Sequence, residues 1–152
     1  MMGQLPENAE FKRYFINRFA DLLNEYWTPT KTLAIVDAAA DELESEIPRN
    51  SQRWGYPGLG SWQGAVQYLR DYHLEKPAVQ RDQINEYFDL NGQVSLTLQV
   101  QPPGAGWVKI STITPKDLPW TGVYFEGNPV TLTAIPAPGF QFANWSSSPF
   151  IN

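Results

Sequence analysis

A chain of 152 residues is long enough for one ordinary domain or two small ones. Its net charge of -5 excludes a protein that tracks nucleic-acid phosphates through a basic footprint. With no cysteine it has no disulfide framework, thiolate metal site or cysteine nucleophile, a composition that weakly favours bacterial export, where a stray thiol mispairs.

The opening "MMGQLPENAEF" has no basic stretch followed by an apolar core, and no apolar run approaches the length of a membrane span. The doubled methionine and the abrupt onset of a helical pattern suggest a piece cut from a longer chain, with any export signal upstream.

In "FKRYFINRFADLLNEYW" the residues Phe11, Phe15, Phe19, Leu22 and Tyr26 recur three or four apart and predict one amphipathic helix, with Lys12, Arg13, Asn17, Arg18 and Asp21 mainly on its other faces. A second helix follows through Leu33, Val36, Ala40, Leu43 and Ile47, capped by Thr28 or Thr30 and closed by Pro48. After the loop "RNSQRWGYPGLG", Ser61 caps a third helix buried through Trp62, Ala65 or Val66, Leu69 and Tyr72, and a fourth begins near Pro77 and uses Ile84, Tyr87 and Phe88.

At Asn91-Gly92 the hydrophobic period changes from helical to alternating. "VSLTLQVQ", "WVKISTI" and "WTGVYF" predict strands, and "VTLTAIPAPGFQFANW" predicts two more around a Pro-Gly turn. A faint echo between Val94–Ile110 and Val130–Trp145 suggests two hairpins with a crossing segment between them. The expected fold class is α+β: a bundle of about four helices over residues 1–90, then a small antiparallel β module over 91–152.

Chemistry is sparse. The single histidine, His73, sits near an expected helix end with no serine or cysteine nucleophile beside it in sequence, and a surface or capping role is the simpler one. The acidic run Asp41, Glu42, Glu44 and Glu46 is most simply a solvated helix face. "GYPGLGSW" has three glycines before a helix, yet it lacks the lysine of a phosphate-cradling loop and no strand precedes it. Arg49 and Arg53 flank that turn and are candidate anion contacts, as an alternative to pairing with carboxylates or stacking on Trp54. The β region is rich in aromatics: Trp107, Trp120, Tyr124, Phe125, Phe140, Phe142 and Trp145. A small unit needs most of these for its core, so Trp107 and Trp145 are expected to be buried, while Trp120 and Tyr124 stand as candidate ligand contacts if a platform exists. The sequon "NWS" at Asn144 carries no further inference.

Taken in order, Asn8-x-x-Phe11, the "FINR" of Phe15–Arg18, the "DLLN" of Asp21–Asn24, Pro48 and the pair Arg53-Trp54 resemble the C-terminal end of the CotH kinase-like family, relatives of spore coat protein H. The likeness covers roughly the first ninety residues. The remainder is similar to β repeat modules of exported bacterial proteins that close on a G-x-x-F-x-x-W pattern, matched by Gly139, Phe142 and Trp145.

The resemblance implies a parent that is an atypical protein kinase using ATP and a divalent metal to phosphorylate serine or threonine. Its nucleotide-gripping lysine and metal-binding acids lie upstream of the matched segment, so no catalytic, cofactor or metal residue is assigned in this chain. The expected function is a noncatalytic helical end of such a protein, exported to the bacterial surface or beyond, with the upstream kinase-like lobe as partner and no nucleic acid or membrane span. The alternative is an adhesion module that binds a surface protein or polysaccharide, without enzymatic activity.

Overall fold

The computed structural model describes residues 8–146; residues 1–7 and 147–152 lie outside it. Four helices precede four strands, as the α+β expectation has it. Helix α1 (Ala9–Glu25) opens at Asn8, whose side chain accepts from the Phe11 backbone N–H at 2.9 Å, so the Asn8-x-x-Phe11 pattern is a helix cap. Helix α2 (Pro29–Glu44) starts after Thr28, with Pro29 in the first turn, where no intrahelical donor is lost.

The next boundaries differ from the sequence reading. Pro48 does not close α2; it lies in the first turn of a separate short helix, α3 (Ile47–Trp54), which ends on Gly55 at φ 76°, a left-handed cap that suits glycine. Pro77 does not start a helix either. It lies inside the 29-residue helix α4 (Leu59–Tyr87), where its buried ring gives packing in place of the lost backbone hydrogen bond. Among the described residues no helix is long and apolar enough to cross a membrane.

The strands are β1 (Gln93–Leu98), β2 (Gly106–Ile110), β3 (Trp120–Phe125) and β4 (Leu132–Pro136). They pair by skipping one: β1 runs antiparallel to β3, from Gln93 opposite Phe125 to Leu98 opposite Trp120, and β2 to β4, from Gly106 opposite Pro136 to Ile110 opposite Leu132. The expected pair of consecutive hairpins is therefore replaced by two interleaved two-stranded sheets. Residues 140–146 form no strand, so the second limb of the expected last hairpin is absent.

One core joins the two halves of the chain. Ile16 and Ala20 of α1 and Phe88 after α4 pack with Leu98, Val108, Ile110, Ile113, Tyr124 and Phe125 of the β region. The buried face of α1 is not the expected phenylalanine stripe. Phe11, Phe15 and Leu22 remain 36–38% exposed and Tyr26 59%, whereas Ile16, Asn17, Ala20, Asp21 and Leu23 are buried. Outward from α1 the helices bury little: Ala40, Ile47, Val66 and Pro77 are their buried residues, and Ile35, Leu43, Tyr68 and Leu74 are half or more exposed.

Candidate functional site

The densest polar chemistry lies where α1 crosses the β region. Asn17, Asp21 and Asn24 are spaced four and three apart, one helical face. Asp21 is 0% exposed with both oxygens engaged: Oδ1 accepts from the Tyr124 hydroxyl at 2.7 Å, and Oδ2 from the Thr112 backbone N–H at 2.8 Å and its hydroxyl at 2.6 Å. Arg18 reaches the same hydroxyl with an N–H at 2.7 Å. Asn17 donates to the Pro129 carbonyl at 2.8 Å and accepts from Asn128 at 2.7 Å.

Asn24 holds β3 by its backbone. Its amide nitrogen donates to the Val123 carbonyl at 2.9 Å and its oxygen accepts the Val123 N–H at 3.0 Å, so one side chain occupies the strand's edge as a neighbouring strand would. The same oxygen accepts from Arg81 of α4 at 2.9 Å. Arg81 also donates to the Pro77 carbonyl at 3.3 Å, and its Nε is buried without a partner among the described residues. Burial lowers the Arg81 guanidinium below its usual range. For Tyr124, burial first and the adjacent Asp21 carboxylate second push the hydroxyl well above the usual phenol value.

The residues singled out in the sequence do not converge. Arg49 and Arg53 are exposed on α3; Arg49 lies 3.7 Å from Glu46, and Arg53 stacks over Trp54 with its guanidinium 4.9 Å from the ring centre. Tyr124, a candidate ligand contact, is 1% exposed and committed to Asp21, so it offers nothing to a surface ligand. Trp120 is half-buried on β3, its ring lying across Gly122 and packed on the core. His73 accepts from the Trp27 indole N–H at 3.3 Å and packs edge-on against Tyr72. Among the described residues no group of three or more histidine, aspartate or glutamate side chains is placed to hold a metal ion.

Trp107 and Trp145, expected inside, are 44% and 49% exposed. On β2 the residues alternate, with Val108 and Ile110 inward and Trp107 and Lys109 outward. Trp145 lies past the last strand, its ring 5.0 Å from that of Phe142. Sequence reading missed the α1 face because it followed the phenylalanines; the polar spacing Asn17, Asp21, Asn24 was the available signal.

A helical half fastened to a small β module through one polar helix face defines an α+β protein whose most chemically capable residues are structural. A family model described as CotH kinase protein matches residues 1–79, just over half of the chain. The chain belongs to the CotH kinase protein family. A second model, the divergent InlB B-repeat domain, matches residues 96–150, so the β module is similar to that bacterial repeat. Searches of curated proteins and of solved structures returned no match.

Proposed function

We propose that this chain is the noncatalytic helical end of an exported CotH-like atypical protein kinase, with residues 1–90 supporting a phosphotransfer site built by upstream segments and residues 91–152 forming an accessory module. The observation that carries this reading is the state of Asp21. It is the acid of the family-like "DLLN" stretch, and it is sealed inside with both oxygens engaged by Thr112 and Tyr124. Phosphoryl transfer needs carboxylates that face a metal and cations that face phosphates, and here the polar face of α1 is spent on holding β3 and the loops after β2 and β3.

The apolar surface supports the partner. Ile35, Leu43, Tyr68, Leu69, Leu74 and Val79 on α2 and α4 stay 44–70% exposed, apolar side chains that a further segment packed on these helices would cover. The upstream kinase-like lobe of the same chain is the occupant proposed for it. ATP and divalent metal belong to that lobe. The match to a bacterial repeat domain supports placement at the bacterial cell surface.

Calorimetry with magnesium or manganese ATP, together with a radiolabel transfer assay on a generic acceptor, tests the reading. Neither binding nor labelling is expected. Micromolar binding abolished by Arg49→Ala or Arg53→Ala would place part of the nucleotide site here, and acceptor labelling would overturn the noncatalytic reading.

A further inference from the structure

A cleft of about 230 Å³ lies beside β2, walled by Trp107 and lined by Gln99, Lys116 and Asp117. Trp107 is 44% exposed, whereas on β3 Tyr124 and Phe125 are 1% and 3% exposed and Trp120 is half-buried against the core. Its place is fixed by the backbone. Gly106 begins β2 so close to β4 that a Cβ there would run into the Ile135 carbonyl oxygen and lie 3.0 Å from Pro136 Cα. The strand cannot shift outward without losing its pairing, and the alternation that buries Val108 and Ile110 turns the indole to the cleft side.

Three polar side chains share that cleft with the indole, and among the described residues none of the three has a side-chain hydrogen bond or ion pair. The ion pairs among the described residues are Lys31–Glu25, Arg49–Glu46 and Arg70–Asp37, so neither Lys116 nor Asp117 is in one. We propose that this cleft binds one pyranose ring of a neutral polysaccharide, stacked on Trp107 and held by Gln99, Lys116 and Asp117. A pyranose has an apolar face of C–H groups, which suits an exposed flat aromatic, and a rim of hydroxyls that each donate and accept. Asp117 supplies acceptors, Lys116 donors and Gln99 one of each kind.

Charge and size narrow the class. One carboxylate and one ammonium cancel, so a uniformly anionic glycan gains no net attraction. The volume is below the roughly 300–1,000 Å³ of sites that enclose drug-sized ligands, and it fits a single ring against an open surface. A peptide adding itself as a strand needs backbone donors at the rim. Pro103 and Pro119 in the lining of this cleft have none. The inference concerns the β module alone and stands or falls independently of the kinase reading.

The test uses the whole chain labelled with nitrogen-15, observing the indole N–H signals of its six tryptophans. The Trp107 signal is identified as the one missing from Trp107→Phe. Cellohexaose, maltohexaose and chitohexaose are titrated separately, with oligogalacturonate as the anionic comparison and poly-L-proline as the peptide probe. The expected result is a saturable shift of the Trp107 signal with at least one neutral oligosaccharide at millimolar concentration or below. Trp107→Ala should weaken that binding by about tenfold or more, equivalent to about 1.4 kcal/mol. Asp117→Ala and Gln99→Ala should weaken it several-fold, and Trp145→Ala should leave it unchanged. Circular dichroism melting of each variant separates lost binding from lost folding, and Asp117→Ala, on an exposed loop, keeps the test alive if Trp107→Ala unfolds. Absence of any shift, a shift unaffected by Trp107→Ala, tighter binding of oligogalacturonate, or a response to poly-L-proline alone would each overturn the proposal.

Discussion

Tyr124 on β3 donates its hydroxyl to Asp21 on α1 at 2.7 Å, with both side chains closed to solvent. The bond crosses the junction between the part matching the kinase family and the part matching the repeat, so the two share one core at this point. Asp21→Ala would leave the Tyr124 hydroxyl and the Thr112 N–H and hydroxyl without their acceptor. Buried donors left unsatisfied cost about 1–3 kcal/mol each, less where they find water. The expected loss is about 3–5 kcal/mol in urea unfolding, with Asp21→Asn milder because the amide oxygen still accepts from Thr112. A loss below about 0.5 kcal/mol for Asp21→Ala would show that the junction does not depend on this carboxylate.

The same pair sets an alkaline limit. The unfolded tyrosine loses its proton near 10.0, while burial and Asp21 hold the folded Tyr124 hydroxyl protonated well above that. Above pH 10 the folded state therefore binds the extra proton. Stability is complete below pH 10 and falls as pH rises past it, by about 1.4 kcal/mol per unit for this one group. Tyr124→Phe should lose about 1–2 kcal/mol at neutral pH with the hydrogen bond, yet show a flatter decline between pH 10 and 11. Parallel slopes for the two proteins in urea titrations would contradict the account.

Asn24 secures the strand next to Tyr124. Its side chain satisfies both backbone groups of Val123 and also receives Arg81, so α1, α4 and β3 meet on one amide. Asn24→Ala should cost about 2–4 kcal/mol, because the Val123 edge and an already buried Arg81 lose partners together. Amide exchange offers a local check: the Val123 N–H should become markedly less protected, while α2 and α3 amides change little.

Much of the fold was legible because it rests on local period. The change at Asn91-Gly92 separates the last helix from the first strand, and four strand cores fall where alternation places them. The failures have physical causes. Proline is tolerated in a first helical turn, and Pro48 follows that rule at the start of α3; Pro77 departs from it, lying inside the long helix α4 with its ring buried, which the local sequence does not signal. Skip-one strand pairing has no local signature, since it joins residues as distant as Gln93 and Phe125. The exposure of Trp107 was readable in principle. Lys109 shares its face, and a lysine seldom points into the core of so small a module. The cleft around Trp107 was not readable, because only the tertiary fold brings Gln99 and Asp117 to the same place.

Two glycine substitutions separate the demands of the two halves. Gly64, in α4, has no atom within 4 Å of where a Cβ would stand, so Gly64→Ala meets no clash and gains the better helix former. It should raise stability by about 0.5–1 kcal/mol through the reduced entropy of the unfolded chain. Gly106 is the opposite case. A Cβ would press on backbone atoms of Ile135 and Pro136, which cannot rotate away as a side chain would, so β2 and β4 must separate. That separation opens the layer over Val108 and Ile110, and both belong to the core shared with α1. Gly106→Ala is therefore expected to cost about 2–4 kcal/mol, in the range of strained or overpacked sites, and to shift the Trp107 indole signal even without ligand. Equal thermal midpoints for Gly64→Ala and Gly106→Ala would mean that the close approach of β2 to β4 does not hold the module together.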